Sequence, residues 1–334
     1  MATVNKVDFS KFINQEKQEK KSLVDKFLDS LPTSIRKNTI DTYKTHIEVF
    51  LSQASQITSI PVEQEEKLLK AIDIDVVETW RNIVLKEKIY KKSSYNGKLI
   101  ALKEFFDYLY NTRHLVEYNP FTTIRRERIN RGDTKEKEIF TKEELNTFLN
   151  SIDELVKGDT DTKVFLRART KFLIALCSSC GYRINEALQI KLKDLTTRED
   201  GIVKVYINGE RIKNHIDRNN VICGKTLDYY KEYMETRKRI NVESDLLLPT
   251  YKGTKVDYKD INKWLKAKVK EAGIDKHIST HCFRHYCSSY LSTLTTETVK
   301  CSILGWKLDG MSSIYTHDTE EMTEEKIRVC SQLI

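Results

Sequence analysis

The sequence predicts a mainly helical protein of the α+β class, in which a helical bundle precedes a mixed domain with a small antiparallel sheet. Its 334 residues suggest two domains, because a domain commonly holds about 100 to 200 residues. Apolar residues recur at helical spacing through most of the chain, and strict alternation is confined to a stretch after residue 200. A break at Asn119-Pro120, followed by a basic segment without apolar period, separates the two halves.

Composition excludes some classes of protein and leaves others open. The chain has 57 Lys and Arg against 49 Asp and Glu, a formal net charge of +8, which permits nucleic-acid binding without predicting it. No apolar run approaches the ~20 residues that span a bilayer, and no apolar signal segment opens the chain. We therefore expect no membrane partner and a cytoplasmic protein, or a nuclear one in a eukaryote.

The seven cysteines predict neither disulfides nor a metal site. Cys177 and Cys180 form a CxxC inside an apolar helical run, but no second pair or His cluster completes a zinc site. We interpret them as two core thiols one turn apart, in a protein of a reducing compartment.

The first half predicts a small helical bundle over residues 20–122, after a polar, flexible leader at residues 1–19. A Ser, Thr or Asp precedes several of the helical patterns, and its side-chain oxygen can accept hydrogen bonds from the free amides of the first turn. The helical patterns cover residues 20–31 and 34–52 and start again near residues 73 and 93.

A polar segment, residues 123–138, is predicted to link the two halves. Its first part is crowded with arginines: Arg125, Arg126, Arg128 and Arg131. Two interpretations stay open, a solvated linker or a basic strap that lies along DNA phosphates.

Residues 139–334 predict the mixed domain. Thr141 and Glu144 fit a capping box at a helix start. Alternating apolar residues at 202–207 predict a strand, and after a turn Val221-Ile222 is predicted to pair with it as a short second strand. Further helices are predicted at residues 167–180, 183–190, 226–239, 258–272 and 281–291, with a helical tail from about residue 320.

Two segments of this domain carry an arginine suited to gripping a phosphate. Arg183 follows the helix-ending Gly181, and Glu186 lies one turn on, where it can hold that guanidinium; the alternative is a surface ion pair. His281 and Arg284 share one face at a helix start, whose free amides also favour an anion; the alternative is an exposed pair beside a capped helix.

Three further residues offer proton transfer, hydrogen bonding or nucleophilic attack. Lys213 lies in the turn from Asn208 to Asn220, with Arg211, His215 and Arg218, and its ammonium can donate a proton unless it is merely solvated. Trp306 offers a donor-only N–H. Tyr315 is a possible nucleophile, although a tyrosine taken alone is more often structural.

Taken in order, these segments resemble the tyrosine recombinase, or phage integrase, family. Its motif order is Arg, Lys, His-x-x-Arg, His or Trp, then Tyr, and GYRINEAL is similar to its G-[LY]-R-x-x-E-[AL]-L. The resemblance covers residues 140–317, and the first half is similar to the family's SAM-like core-binding domain in pattern only. The counterparts here are Arg183, Lys213, His281, Arg284, Trp306 and Tyr315.

Three departures from the family pattern qualify these assignments. Trp306 stands where most members have His, and HCFRH replaces HxLRH. The lysine segment lacks the common GKGxKxR wording, so Lys213 is chosen because Arg218 and the strand Val221-Ile222 follow it suitably. Lys204, within the predicted strand, is the second choice.

The resemblance implies a site-specific DNA recombinase of the integrase, transposase or resolvase type that needs no metal, nucleotide or other cofactor. Tyr315 would form a 3′-phosphotyrosine, Arg183 and Arg284 would neutralise the phosphate, and Lys213 would protonate the leaving 5′ oxygen. His281 and Trp306 would hydrogen-bond the phosphate, and Glu186 would support the arginines.

The implied partners are double-stranded DNA at specific sites with inverted-repeat arms and three further copies of the chain, joined through a Holliday junction. The apolar tail after Tyr315 then packs on a neighbouring protomer or on its own domain. Two alternatives remain, a type IB topoisomerase-like enzyme that relaxes DNA and a catalytically inactive DNA-binding protein.

Overall fold

A computed structural model describes residues 21–130, 138–211, 216–307 and 319–334 of the chain. The chain divides into two compact units, Met1–Lys135 (unit 1) and Glu136–Ile334 (unit 2). The predicted class is confirmed, because unit 1 is helical and unit 2 adds a small antiparallel sheet. Across the described ranges, every helix is too short or too polar to cross a bilayer.

Unit 1 packs its helices around a cluster of aromatic side chains. Phe50 contacts Trp80 edge to face, with ring centroids 5.1 Å apart, and also contacts Phe106 and Phe121. Asp73 caps a helix start as predicted, accepting a hydrogen bond from the Val76 amide at 2.9 Å. The helices are α1 (Leu23–Ser30), α2 (Lys37–Thr58), α3 (Glu65–Ala71), α4 (Ile74–Lys86) and α5 (Lys92–Asn111).

The beginning of the predicted linker packs against the bundle of unit 1. Asn96 and Glu127 exchange two hydrogen bonds, from the Glu127 amide to Asn96 Oδ1 (2.8 Å) and from Asn96 Nδ2 to the Glu127 carbonyl (2.9 Å). Arg81 adds an ion pair to the Glu127 carboxylate at 2.6 Å. This anchoring leaves three predicted strap residues exposed, namely Arg125, Arg126 and Arg128, while Arg131 lies outside the described residues.

The other elements of unit 2 pack around one long, largely buried helix, Asp161–Cys180. Its sheet has the order β1-β2-β3, all antiparallel, where the sequence predicted two strands. Val203 pairs with Ile222, so the predicted return is confirmed. The elements are α6 (Lys142–Leu155), α7 (Asp161–Cys180), α8 (Ile184–Ala187), β1 (Leu195–Thr197), β2 (Val203–Ile207), β3 (Arg218–Ile222), α9 (Gly224–Ile240), α10 (Tyr258–Glu271), α11 (Thr280–Leu294), α12 (Glu297–Leu304) and α13 (Glu320–Cys330).

Both thiols of the CxxC lie in the core of unit 2, on the buried end of α7. Cys177 and Cys180 are fully buried free thiols, and burial raises the pKa of Cys180 to about 12. Such thiols stay protonated at neutral pH, in keeping with their interpretation as core residues.

The C-terminal tail packs on its own unit, which was one of the two open interpretations. Val329 and Leu333 are fully buried, and the Tyr286 hydroxyl donates to the Leu333 carbonyl at 2.5 Å. The buried Lys326 ammonium donates to the Asn219 carbonyl in β3 at 2.6 Å.

Candidate active site

The carboxyl ends of α7 and α12 meet at the centre of the candidate site. Gly181 ends α7 and Gly305 ends α12, both with positive φ (59° and 63°), a conformation that glycine adopts without steric cost. A Cβ at Gly181 would overlap Leu304, and one at Gly305 would crowd Arg218. The two glycines therefore allow the helix ends, and the carbonyl groups on them, to approach closely.

Arg284, in the first turns of α11, binds both helix ends. Its Nη1 donates to the Gly181 carbonyl at 2.5 Å, and its Nη2 donates to the Leu304 carbonyl at 2.7 Å. Helix carboxyl ends carry partial negative charge, which favours a cation between them. Arg284 is 4% exposed, so the interpretation of an exposed His-Arg pair is wrong for this residue.

Arg218 binds the same two helix ends one residue earlier in each. Its Nη2 donates to the Cys180 carbonyl at 2.8 Å and to the Ile303 carbonyl. Its guanidinium also stacks on the Tyr182 ring, with Cζ 4.2 Å from the ring centroid. The sequence placed this arginine in the turn between two strands, but it is the first residue of β3 and is 1% exposed.

Glu186 connects Arg218 to Arg183. Oε2 accepts from Arg218 Nη1 at 2.7 Å, and Oε1 accepts from Arg183 Nη1 at 2.6 Å. Oε2 also accepts from the Arg183 backbone amide at 3.0 Å. The Glu186 side chain is 6% exposed, so the alternative of a surface ion pair is wrong.

Burial and neighbouring charges together set the ionisation of this cluster. Burial alone would raise the pKa of the Glu186 carboxyl, but the charge of Arg218 and the hydrogen bonds from Arg183 outweigh it, so the pKa lies below its usual range. Burial, together with repulsion from Arg218 and Arg183, lowers the pKa of Arg284 to about 10. Arg284 thus remains protonated at neutral pH.

The cluster holds three guanidiniums and one carboxylate, which bonds Arg183 and Arg218. Arg183, Arg218 and Arg284 interact through space closely enough for the first two to depress the pKa of the third. Only Arg183 is substantially accessible, with 28% of its side chain exposed. A bound anion would relieve the repulsion between the guanidiniums, so the cluster is suited to a phosphate.

Trp306 lies beside Arg284. Its ring centroid is 5.6 Å from Arg284 Cζ and 5.5 Å from Lys300 Nζ, and the residue is 37% exposed. Its backbone amide donates to the Cys301 carbonyl at 2.9 Å, which ties it to the end of α12. The ring therefore lies against the Arg284 guanidinium, and the residue remains partly exposed to solvent.

His281 is exposed in the first turn of α11, one turn before the buried Arg284. Residues three apart are neighbours along a helix, so His281 and Arg284 are adjacent on α11. The His281 ring meets that of His285 edge to face, with centroids 5.2 Å apart.

Two predicted site residues, Lys213 and Tyr315, lie outside the described residues. The rival Lys204 lies in β2, where it pairs with Thr196 and Val221 in the two neighbouring strands. Pairing on both sides fixes the backbone of Lys204 within the sheet.

The chain is similar in sequence to known families over most of its length. A profile of the phage integrase family matches residues 138–322, and a profile of the phage integrase N-terminal SAM-like domain matches residues 24–113.

Individual proteins show the same similarity. Tyrosine recombinase XerC of Halalkalibacterium halodurans is 23% identical over 250 residues, which cover 73% of this chain and 78% of that protein. Tyrosine recombinase XerH of Helicobacter pylori is 31% identical over 185 residues, 55% of this chain and 49% of that protein. A crystal structure of a lambda integrase tetramer bound to a Holliday junction shares the fold, with a TM-score of 0.61 at 14% identity over 89% of this chain and 76% of that chain.

Proposed function

Because the chain belongs to the phage integrase family and is a site-specific tyrosine recombinase, we propose that its Tyr315 cuts DNA by forming a 3′-phosphotyrosine at the arginine cluster of unit 2. The enzyme breaks and rejoins DNA, as the resemblance implied. The topoisomerase-like and inactive alternatives are not favoured.

The observation that carries the proposal is the convergence of Arg183 and Arg284 on one site. Arg183 is held by Glu186, which is held in turn by Arg218. Arg284 is held by carbonyls at the ends of α7 and α12. Both guanidiniums are charged donors held in place before substrate binds. Donors of this kind, aimed at charge that develops in a transition state, are typically worth about 3 kcal/mol each.

In the proposed reaction the Tyr315 oxygen attacks the scissile phosphorus, and the bond to the 5′ oxygen breaks. Arg183 and Arg284 bind the non-bridging oxygens, and His281 hydrogen-bonds the phosphate and assists loss of the phenol proton. Lys213 protonates the leaving 5′ oxygen. A 5′-hydroxyl of a partner strand then attacks the phosphotyrosine, which reseals the DNA and releases Tyr315.

Trp306 has a different role from the acids and bases. Its indole N–H donates one hydrogen bond to the phosphate and cannot exchange a proton in the reaction. Its ring supports Arg284 from the side, at the distance reported above.

We propose that unit 1 grips double-stranded DNA at a specific site with inverted-repeat arms, aided by its exposed arginines. Four protomers on two duplexes would exchange strands through a Holliday junction, the DNA to which the lambda integrase tetramer is bound. Work on chromosomal DNA would place the enzyme in the cytoplasm, bound to the nucleoid and away from membranes.

The experiment that tests the nucleophile is covalent trapping. A duplex site is selected from a random-sequence library by binding to the full chain, and a nick is placed beside the scissile phosphate so that the cut fragment diffuses away. Wild-type protein should form a detergent-resistant protein–DNA adduct that mass spectrometry maps to Tyr315.

The matched variants make this experiment decisive. Tyr315→Phe should abolish the adduct, whereas Tyr251→Phe, at an exposed tyrosine of the same unit, should leave it intact. An adduct that persists in Tyr315→Phe would show that another residue is the nucleophile.

A further inference from the structure

Arg218 is a buried charge in the site for which the family motif order provides no role. Its side chain is 1% exposed, so it is shielded from any ligand that approaches from solvent. Burying a guanidinium is unfavourable unless its charge and donors are matched, and here the partners are one carboxylate, two carbonyls and one aromatic ring.

The partners of Arg218 form the support on which Arg183 rests. Arg218 fixes one oxygen of the Glu186 carboxylate, and the other oxygen binds the Arg183 guanidinium. The first oxygen also accepts from the Arg183 backbone amide. The Glu186 carboxylate therefore holds both the backbone amide and the guanidinium of Arg183, and Arg218 restricts the rotation of that carboxylate.

Arg218 also joins the polypeptide on either side of the site. It binds the carbonyl of Cys180, three residues before Arg183, and that of Ile303, three residues before Trp306. Asn220, two residues along β3, donates to the same two carbonyls at 3.1 Å each. The start of β3 thus fixes the ends of α7 and α12 relative to each other.

We propose that Arg218 is a positioning residue of the recombination reaction, which sets the direction of the Arg183 guanidinium through Glu186. This inference rests on the function proposed above. Without Arg218 the Glu186 carboxylate keeps Arg183 as a partner but loses its own anchor, so the guanidinium no longer points at the phosphate in one fixed direction. A misplacement of about 1 Å in such a site can slow the reaction by about 100-fold.

Arg237 supplies a control for a purely structural role. It lies in α9 of the same unit, is 6% exposed, and donates to the carbonyls of Val242, Ser244, Leu246 and Leu247. It is a buried arginine that binds backbone carbonyls, like Arg218, but these partners lie outside the cluster of Arg183, Glu186 and Arg284.

The test compares Arg218→Lys with Arg237→Lys in the full chain, on the nicked duplex selected above at saturating concentration. Both variants lose donors to carbonyls, and both should unfold at a lower temperature. Arg218→Lys should slow single-turnover adduct formation by about 10- to 100-fold, whereas Arg237→Lys should keep the wild-type rate once folded.

A double-variant cycle with Arg183→Lys identifies the path of the effect. If Arg218 acts through Arg183, adding Arg218→Lys to Arg183→Lys should change the rate by no more than about twofold, because the interaction is already lost. Losses that multiply would show that Arg218 acts independently of Arg183 and would overturn the inference.

A second variant covers failure of Arg218→Lys to fold. Arg218→Met combined with Glu186→Gln removes both charges of the buried pair, so neither is left unpaired. Its rate loss should likewise vanish in the Arg183→Lys background, and a full additional loss there would contradict the inference.

The outcomes also separate this inference from the function on which it rests. Wild-type protein that forms no adduct would contradict the proposed function. Wild-type protein that forms the adduct, together with Arg218→Lys that forms it equally fast, would contradict only the role of Arg218.

Discussion

The two units use arginine in opposite ways. In unit 2, Arg218 and Arg284 are almost fully buried, and each is held by carbonyls at the ends of α7 and α12. In unit 1, Arg125, Arg126 and Arg128 are exposed on a segment that Asn96 and Glu127 anchor to the bundle. Burial fixes the direction of a guanidinium, while exposure leaves its charge free to meet any nearby phosphate.

This difference separates chemistry from affinity. A buried cation is unfavourable for stability, as the lowered pKa of Arg284 shows, so its placement is explained better by a developing charge that it must stabilise. An exposed cation gains little from fixed geometry, but it displaces counterions when it neutralises a DNA phosphate. We therefore expect variants in unit 2 to change rates and variants in unit 1 to change binding.

The largest expected effect follows from Arg183→Lys and Arg284→Lys, which keep the charge but lose the two-pronged hydrogen bonding of a guanidinium. Each should slow single-turnover cleavage at saturating DNA by about 100- to 1000-fold. Affinity for the selected duplex should stay close to wild type. Arg126→Lys, the same replacement in the exposed set, serves as the control and should keep the wild-type rate.

A comparable loss of rate from Arg126→Lys would break the distinction between the two sets of arginines. So would near-normal cleavage by Arg284→Lys, because the buried guanidinium would then have no function that an ammonium cannot perform.

A smaller effect is expected from Arg126→Ala combined with Arg128→Ala. Each lost phosphate contact should reduce the slope of log affinity against log salt by about 0.9, so the pair should reduce it by roughly 2. Filter binding or fluorescence anisotropy across a salt series measures this slope, and sequence preference should be retained.

The control for the salt series is Arg113→Ala, at an exposed arginine of unit 1 beyond the end of α5. Its slope should match that of wild type. An unchanged slope in the Arg126/Arg128 variant would mean that the anchored segment does not lie along the DNA backbone.

The sequence predicted the elements whose pattern is long enough to show a period. The central residues of α2, α7 and α11 were predicted correctly, although α7 begins six residues before the predicted start. α3, α12 and β1, with 7, 8 and 3 residues, were not predicted; α1 has only 8 residues, but a longer helical pattern over residues 20–31 indicated it. For α12, the capping Thr296 and the closing Gly305 were available as signals.

Within the site, the sequence motifs indicated the residues that the structure brings together, but not the one that supports them. Arg183 and Glu186 are neighbours along one turn, so their contact follows from local spacing. Arg218 is 32 positions from Glu186 and 85 from Ile303. Its burial depends on how β3 packs against two helix ends, which no local pattern of charge or hydropathy records.

The most direct test of the account is a structure of the full chain trapped on the nicked duplex. The account predicts a covalent bond from Tyr315 to the scissile phosphorus, with the guanidiniums of Arg183 and Arg284 each within hydrogen-bond distance of a non-bridging oxygen of that phosphate. A trapped complex in which either guanidinium binds a different phosphate, or points away from the DNA, would contradict it.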